Sequence, residues 1–128
     1  MKRILIDTNI YTAFKRNVSE VTDTLRRVDY IGMNTVVLGE LHGGFKGGSR
    51  EKQNILELER FLDSPRVHVL LIDETTAEYY GQIYGRLHQK GNPIPTNDLW
   101  IAASAFQHSL ALYTLDSHFS KVDGIILK

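Results

Sequence analysis

The chain has 128 residues, 42% of them hydrophobic, so it is long enough to bury a core and has the size of one compact domain. It contains no cysteine, which excludes a disulfide framework, a thiolate zinc site and a cysteine nucleophile. Its 15 basic residues balance its 15 acidic residues, so the overall charge does not indicate a protein that binds nucleic acid over its whole surface.

The sequence also lacks the patterns of export and of membrane insertion. The apolar stretch that follows Lys2 and Arg3 ends after three residues at Asp7, which is too short for a signal peptide. A membrane-spanning helix would need a run of about 18 apolar residues, and the sequence contains none. We therefore expect a soluble, cytoplasmic protein in which residues 1–128 form a single domain.

The first part of the chain predicts strands and helices in alternation. Residues 3–6 form a short apolar run that predicts a buried strand, and Asp7 follows with the chemistry of a helix cap. Ser19 is positioned to cap a second helix, which carries a single apolar stripe. Residues 30–34 predict the next strand, and Thr35 is positioned to cap the helix after it.

The same alternation continues through the middle of the chain. Ser49 is expected to cap a long helix that Pro65 brings to an end. Residues 67–72 predict another strand. The helix that follows carries apolar or aromatic residues at helical spacing, namely Ala77, Tyr80, Tyr84 and Leu87.

The last part of the chain predicts one more helix and two strands. Thr96 is the expected cap of a helix that includes residues 99–106, and residues 111–115 and 125–127 predict strands. Strands that alternate with helices along the whole chain are typical of an α/β domain with a mainly parallel sheet.

Four acidic residues occupy positions where one crevice could collect them. Asp7 and Asp116 each follow a predicted strand, whereas Glu40 and Asp98 lie in helices that come after the second strand and after a proline-containing loop. In open parallel sheets the ligand crevice lies at the carboxyl ends of the strands. Taken singly, each acid also has a structural explanation, such as capping a helix, favouring its first turn or facing solvent.

A cluster of carboxylates would require a cation. Two like charges about 4 Å apart repel by about 4 kcal/mol at an effective dielectric constant of about 20. Ligation by oxygen alone suits Mg²⁺ or Mn²⁺, whereas zinc more often recruits histidine or cysteine. Such a site could use metal-activated water to hydrolyse a phosphodiester bond, and one or two ions would both be compatible with four acids.

Four segments of the sequence resemble a known family. They are ILIDTN (residues 4–9), LGELHGG (38–44), NDLWIAA (97–103) and YTLDSHF (113–119). In this order and spacing they resemble the PIN-domain family, and most of all the VapC-type toxin ribonucleases of bacterial and archaeal toxin–antitoxin pairs. The resemblance extends over essentially the full length of the chain and implies a three-layer α/β/α fold.

The resemblance also implies a set of roles and partners. It implies an endoribonuclease that depends on Mg²⁺ or Mn²⁺, cuts RNA, forms a homodimer and is inhibited by a small antitoxin protein that blocks the active site. The residues that match the catalytic, metal-binding acids of the family are Asp7, Glu40, Asp98 and Asp116, and those that match its supporting polar positions are Asn9 and Thr114.

Other functions remain open from the sequence. A phosphatase that forms an aspartyl phosphate usually has a second aspartate two residues after the first, and Asn9 stands at that position. A non-catalytic module that binds RNA or protein through the same fold is a further alternative, as is a PIN nuclease that acts in RNA processing. The complete set of four acids favours catalysis.

Histidines and basic residues near the acids could contact a substrate. His42 and His118 are close in sequence to Glu40 and Asp116, although the pattern favours partly exposed histidines without a function. The basic residues in or next to predicted loops, which could bind phosphates, are Lys15, Arg16, Lys46, Arg50 and Lys90.

Overall fold

A computed structural model of the chain describes residues 2–128. Within that range the strands are β1 (Arg3–Ile6), β2 (Tyr30–Asn34), β3 (Val67–Leu70) and β4 (Ala111–Tyr113). The helices are α1 (Thr8–Lys15), α2 (Ser19–Arg27), α3 (Thr35–Lys46), α4 (Glu51–Leu62), α5 (Glu74–Lys90) and α6 (Thr96–Gln107), and a 3-10 helix covers Ser117–Lys121. None of the helices in residues 2–128 is long and apolar enough to cross a membrane.

The four strands form one parallel sheet in the order β3-β2-β1-β4. In β1, Ile4, Leu5 and Ile6 are all buried, as expected for a parallel strand that has helices on both faces. The predicted α/β class, with its parallel sheet in a three-layer arrangement, is confirmed. The chain moves outward from β1 to β3 and then crosses to the other side of β1, so the strand order reverses between β1 and β4. Ligands of such sheets bind at this switch point, beyond the carboxyl ends of the strands.

Two helix starts are fixed by residues at strand ends. The Asp7 carboxylate accepts a hydrogen bond from the Ile10 amide at 3.0 Å and caps α1, as predicted. The prediction that Thr35 caps α3 is wrong, because Asn34 does so by accepting a bond from the Val37 amide at 2.9 Å. Asn is as good a cap as Thr, and β2 runs into α3 without a loop, so the last strand residue takes the position.

Three other predicted caps are also wrong. Ser19 and Thr96 are the first residues of α2 and α6, and the residues at the capping positions are Val18 and Pro95, whose side chains make no capping hydrogen bond. Ser49 lies before Arg50, which occupies the capping position of α4. Pro95 explains the wrong prediction for Thr96, since the fixed φ of proline favours the start of a helix without any side-chain hydrogen bond.

The second half of the chain departs from prediction in two further places. The expected apolar stripe of α5 is half right, because Leu87 is buried and Tyr80 packs against the core. Thr76 and Ile83 are also buried there, whereas Ala77 is exposed and Tyr84 is 47% exposed. The expected strand at 125–127 reduces to a single bridge between Leu112 and Leu127. β4 is three residues long and offers little edge for a longer pairing.

The side chain of Asn34 joins α3 to α6. It is completely buried, and its amide nitrogen donates to Ser104 Oγ at 3.1 Å and to the Trp100 carbonyl at 3.3 Å. Its carbonyl oxygen meanwhile caps α3. Because α3 carries Glu40 and α6 carries Asp98, this amide helps to set the distance between two of the predicted site residues.

Replacement of Asn34 by alanine should lower the free energy of unfolding by about 2–3 kcal/mol, because the helix cap is lost and the buried Ser104 hydroxyl loses its partner. Urea unfolding measures the change. The matched control is Asn92→Ala, at an exposed loop position after α5, where the change should stay within about 0.5 kcal/mol. Equal effects of the two substitutions would contradict this account of Asn34.

Candidate active site

Asp7 lies at the carboxyl end of the central strand and is 4% exposed. Its Oδ1 atom accepts the capping bond from Ile10, and its Oδ2 atom accepts a hydrogen bond from Thr114 Oγ1 at 2.5 Å. Thr114 follows directly after β4, the strand next to β1. The carboxylate therefore ties together β1, α1 and the end of β4.

Asp116 is held next to Asp7 through the same threonine. Thr114 Oγ1 accepts a hydrogen bond from the Asp116 backbone amide at 2.9 Å while it donates to Asp7. The Asp116 carboxylate in turn accepts the His118 backbone amide at 2.9 Å and caps the 3-10 helix. The predicted supporting position Thr114 thus lies between two of the predicted acids.

Glu40 extends from the exposed face of α3 toward two other helices. Its Oε1 atom accepts a hydrogen bond from Thr8 Oγ1 at 2.6 Å, and its Oε2 atom accepts one from Asn97 Nδ2 at 3.2 Å. Thr8 and Asn97 are neighbours of Asp7 and Asp98 in the sequence, so these contacts place Glu40 beside both. Sequence reasoning did not single out either residue for the site, although both are polar and each is next to a predicted acid.

Asp98, Asp116 and His118 form the most compact part of the site. His118 Nδ1 lies 3.2 Å from Asp116 Oδ1 and 3.4 Å from Asp98 Oδ2. One potential ligand atom from each residue lies within 4.8 Å of the others, so this cluster could bind a metal ion. Asp7 and Glu40 are not members of this group of three.

The four acids influence one another electrostatically. Burial raises the pKa of Asp7 above its ordinary value of 3.8, and the charge of Asp116 adds to this, whereas hydrogen bonds from Thr114 and Ile10 oppose it. Burial also raises the pKa of Asp98, opposed by its hydrogen bond with His118 and reinforced by the charges of Asp116 and Glu40. The acids therefore form one cluster of negative charge.

Two polar residues considered from the sequence are not brought into this cluster. Asn9 is exposed in the first turn of α1, and it takes part in none of the side-chain hydrogen bonds found among residues 2–128. His42 is exposed on α3, and its ring packs edge-on against Phe45 at 5.9 Å. Of the two histidines near predicted acids, the structure brings His118 to the site and leaves His42 outside it.

The basic residues predicted near loops are partly engaged elsewhere. Lys15 pairs with Glu57 at 3.1 Å, Lys46 pairs with Glu51 at 2.8 Å, and Lys90 pairs with Asp123. A cavity of about 370 Å³ lies between α1, α3 and α4, and Lys15, Arg16 and Arg50 are among the residues that line it. None of the four predicted acids lines this cavity.

A family model described as "PIN domain" matches residues 4–125. The chain belongs to the PIN-domain family. The resemblance seen in the four sequence segments is thereby confirmed, and all four segments lie within the matched range. Their convergence at the switch point of the sheet agrees with this assignment.

Individual PIN-domain proteins are similar over nearly the whole chain. Ribonuclease VapC1 of Haemophilus influenzae (strain R2866) is 32% identical over 114 residues, which covers 86% of this chain and 84% of that protein. The crystal structure of VapBC2 from Rickettsia felis bound to a DNA fragment from their promoter contains a chain with a TM-score of 0.88 at 28% identity, covering 98% of this chain and 96% of that one. VapBC-5 from Mycobacterium tuberculosis, a member of the VapBC family of toxin–antitoxin systems, has a TM-score of 0.76 at 26% identity, with 100% of each chain covered.

Removal of the Asp7 charge should stabilise this PIN domain when metal is kept away. The folded state holds the Asp7 proton more tightly than the unfolded chain, because the pKa is raised above 3.8 in the folded protein. This contribution to stability is fully present below pH 3.8 and is lost as the pH rises through the folded-state pKa. Asp7→Asn should therefore melt at a higher temperature than wild type at pH 7 in EDTA, and the difference should shrink toward pH 4.

The matched control is Asp63→Asn, which removes an exposed carboxylate at the end of α4. Thermal unfolding of all three proteins across this pH range separates the buried charge from a general effect of net charge. A melting temperature of Asp7→Asn that stays at or below that of wild type at pH 7 would contradict the proposed burial penalty.

Proposed function

We propose that this protein is a metal-dependent endoribonuclease in which Asp7, Glu40, Asp98 and Asp116 are the catalytic, metal-binding residues. The observation that carries the proposal is the convergence of four acids, from β1, α3, α6 and the segment after β4, at the switch point of a parallel sheet. The relatives reported above include a protein named as a ribonuclease, which supports RNA as the substrate.

The donor atoms fit a hard divalent cation. Four carboxylates supply oxygen ligands, and burial, reinforced by neighbouring carboxylates, raises the pKa values of Asp7 and Asp98, so a bound cation would stabilise their charged forms. We assign Mg²⁺ or Mn²⁺ to the site on these grounds. When bound, the cation would lower the pKa of water and neutralise charge that develops on phosphate oxygens.

The surrounding residues hold the carboxylates in place for this role. Thr114 fixes one oxygen of Asp7, and Thr8 and Asn97 each fix one oxygen of Glu40. Each carboxylate oxygen has two lone pairs, so these hydrogen bonds leave acceptor capacity for a cation. Side chains that are already oriented lose less freedom when the metal and the substrate bind.

We further propose that the protein is the toxin of a type II toxin–antitoxin pair. This role is supported by the similarity to VapBC-5, a member of a toxin–antitoxin family, which covers 100% of both chains. The protein would then act on RNA in the cytoplasm and be inhibited by a small antitoxin that covers the active site. We also propose that residues 1–128 form a single PIN-like domain, in line with the family match over residues 4–125. The homodimer likewise stays a prediction.

Purified protein should cleave RNA in the presence of Mg²⁺ or Mn²⁺, and EDTA should abolish the cleavage. Asp7→Asn and Asp98→Asn should each lower the cleavage rate by about 100-fold or more, because each removes a charge that holds the cation. The rates are measured from the appearance of fragments of total cellular RNA on denaturing gels.

The control is again Asp63→Asn, a substitution of the same type near the start of β3, at the edge of the sheet opposite the acids. It should cleave at the wild-type rate. A protein whose melting temperature rises with Mg²⁺ but which cleaves no cellular RNA would instead be a metal-stabilised binding module.

Expression of the wild-type protein alone in bacteria should arrest growth, because RNA needed for translation would be cut. Expression of Asp7→Asn to the same level should leave growth unaffected. Growth curves and immunoblots for protein level give the comparison. Equal arrest by both proteins would show that toxicity does not come from the proposed site.

A further inference from the structure

His118 occupies a fixed position between two of the acids. Its backbone amide is bound to the Asp116 carboxylate at 2.9 Å, and the next residue, Phe119, is completely buried and anchors the 3-10 helix to the core. The side chain is 46% exposed, yet its Nδ1 atom points to Asp116 Oδ1 and Asp98 Oδ2 together. The local backbone therefore holds His118 beside both acids, and its imidazole faces them.

The distances bear on whether this nitrogen donates a hydrogen bond to a carboxylate or binds a cation. A charged hydrogen bond between an imidazole and a carboxylate is usually about 2.7–2.9 Å long, and a single Nδ1–H can serve one oxygen well. Here Nδ1 is 3.2 Å and 3.4 Å from two oxygens. Adjacent ligands of one six-coordinate cation with bonds of about 2.1 Å lie about 3 Å apart, which is close to the observed spacing.

We propose that His118 Nδ1 is a nitrogen ligand, beside Asp98 and Asp116, of the divalent cation, and that it makes the site prefer Mn²⁺ to Mg²⁺. The inference rests on the proposed function in that it takes the acidic cluster to be the metal site. Mg²⁺ takes oxygen ligands almost exclusively, whereas transition-metal ions accept imidazole readily. A mixed oxygen and nitrogen set therefore favours Mn²⁺ in a way that four carboxylates alone do not.

The alternative role for His118 is that of a positively charged partner that merely balances Asp98 and Asp116. The two roles predict opposite effects of removing the imidazole. Loss of a ligand weakens Mn²⁺ binding, whereas loss of a competing positive charge leaves binding unchanged or strengthens it. Metal affinity therefore separates the two roles without any measurement of RNA cleavage.

The test uses wild type, His118→Ala and the control His42→Ala, which removes an exposed histidine outside the cluster. Mn²⁺ affinity is measured from the electron paramagnetic resonance signal of the free ion, and Mg²⁺ affinity from competition. Removal of even an outer partner of a metal ligand typically costs 10-fold to 100-fold in affinity, so loss of a direct ligand should cost at least as much, and the spectroscopy described below distinguishes a ligand from an outer partner. We expect His118→Ala to weaken Mn²⁺ binding by about 10-fold or more, to change Mg²⁺ binding much less, and to keep the wild-type circular dichroism spectrum.

Electron spin-echo spectroscopy of the Mn²⁺-loaded proteins gives a second readout. Wild type and His42→Ala should show ¹⁴N modulation from a bound imidazole, and His118→Ala should lose it. The inference is overturned if wild type binds no Mn²⁺, if the modulation is absent or survives in His118→Ala, or if this variant binds Mn²⁺ at least as tightly as wild type. RNA cleavage without the modulation would refute this inference alone, whereas the modulation without cleavage would refute the proposed function alone.

Discussion

The burial of a carboxylate at the end of the central strand is the constraint on which the rest of the site depends. Asp7 is almost inaccessible to water, so its two oxygens must find donors within the protein. The start of α1 supplies one donor, and Thr114 supplies the other. The residue that we propose for the metal site is thus also the residue that joins β1, α1 and the end of β4.

The other acids come from separate elements, so the packing between those elements sets their spacing. Glu40 belongs to α3, Asp98 to α6 and Asp116 to the segment after β4. Asn34 links the start of α3 to α6, and the Glu40 carboxylate links α3 to both α1 and α6. A carboxylate cluster that costs free energy is therefore maintained by hydrogen bonds outside it as well as by the core.

The sequence predicts all four acids of the candidate site but misses the contacts that depend on helix orientation. Asp7 and Asp116 were recognisable because apolar runs stop directly before or shortly before them. The contacts of Glu40 with Thr8 and Asn97 depend on which face of α3 is turned toward α1 and α6, and tertiary packing decides this. The sequence likewise does not distinguish His42 from His118, because the direction of each side chain depends on tertiary packing. Helix caps were misassigned where Asn34 and Pro95 gave the chain another way to start a helix.

Helix α6 places Asp98 at the start of one of the most buried elements. Residues 101–105 are all buried, and four of these five are alanine or serine, so neighbouring elements approach the helix closely. A larger side chain at most of these positions would force the helix outward and move Asp98 with it. A change in side-chain size within α6 would therefore disturb both folding and the position of Asp98. Substitutions of exposed residues around the acids avoid both effects, so substrate preference can evolve more readily there than in α6.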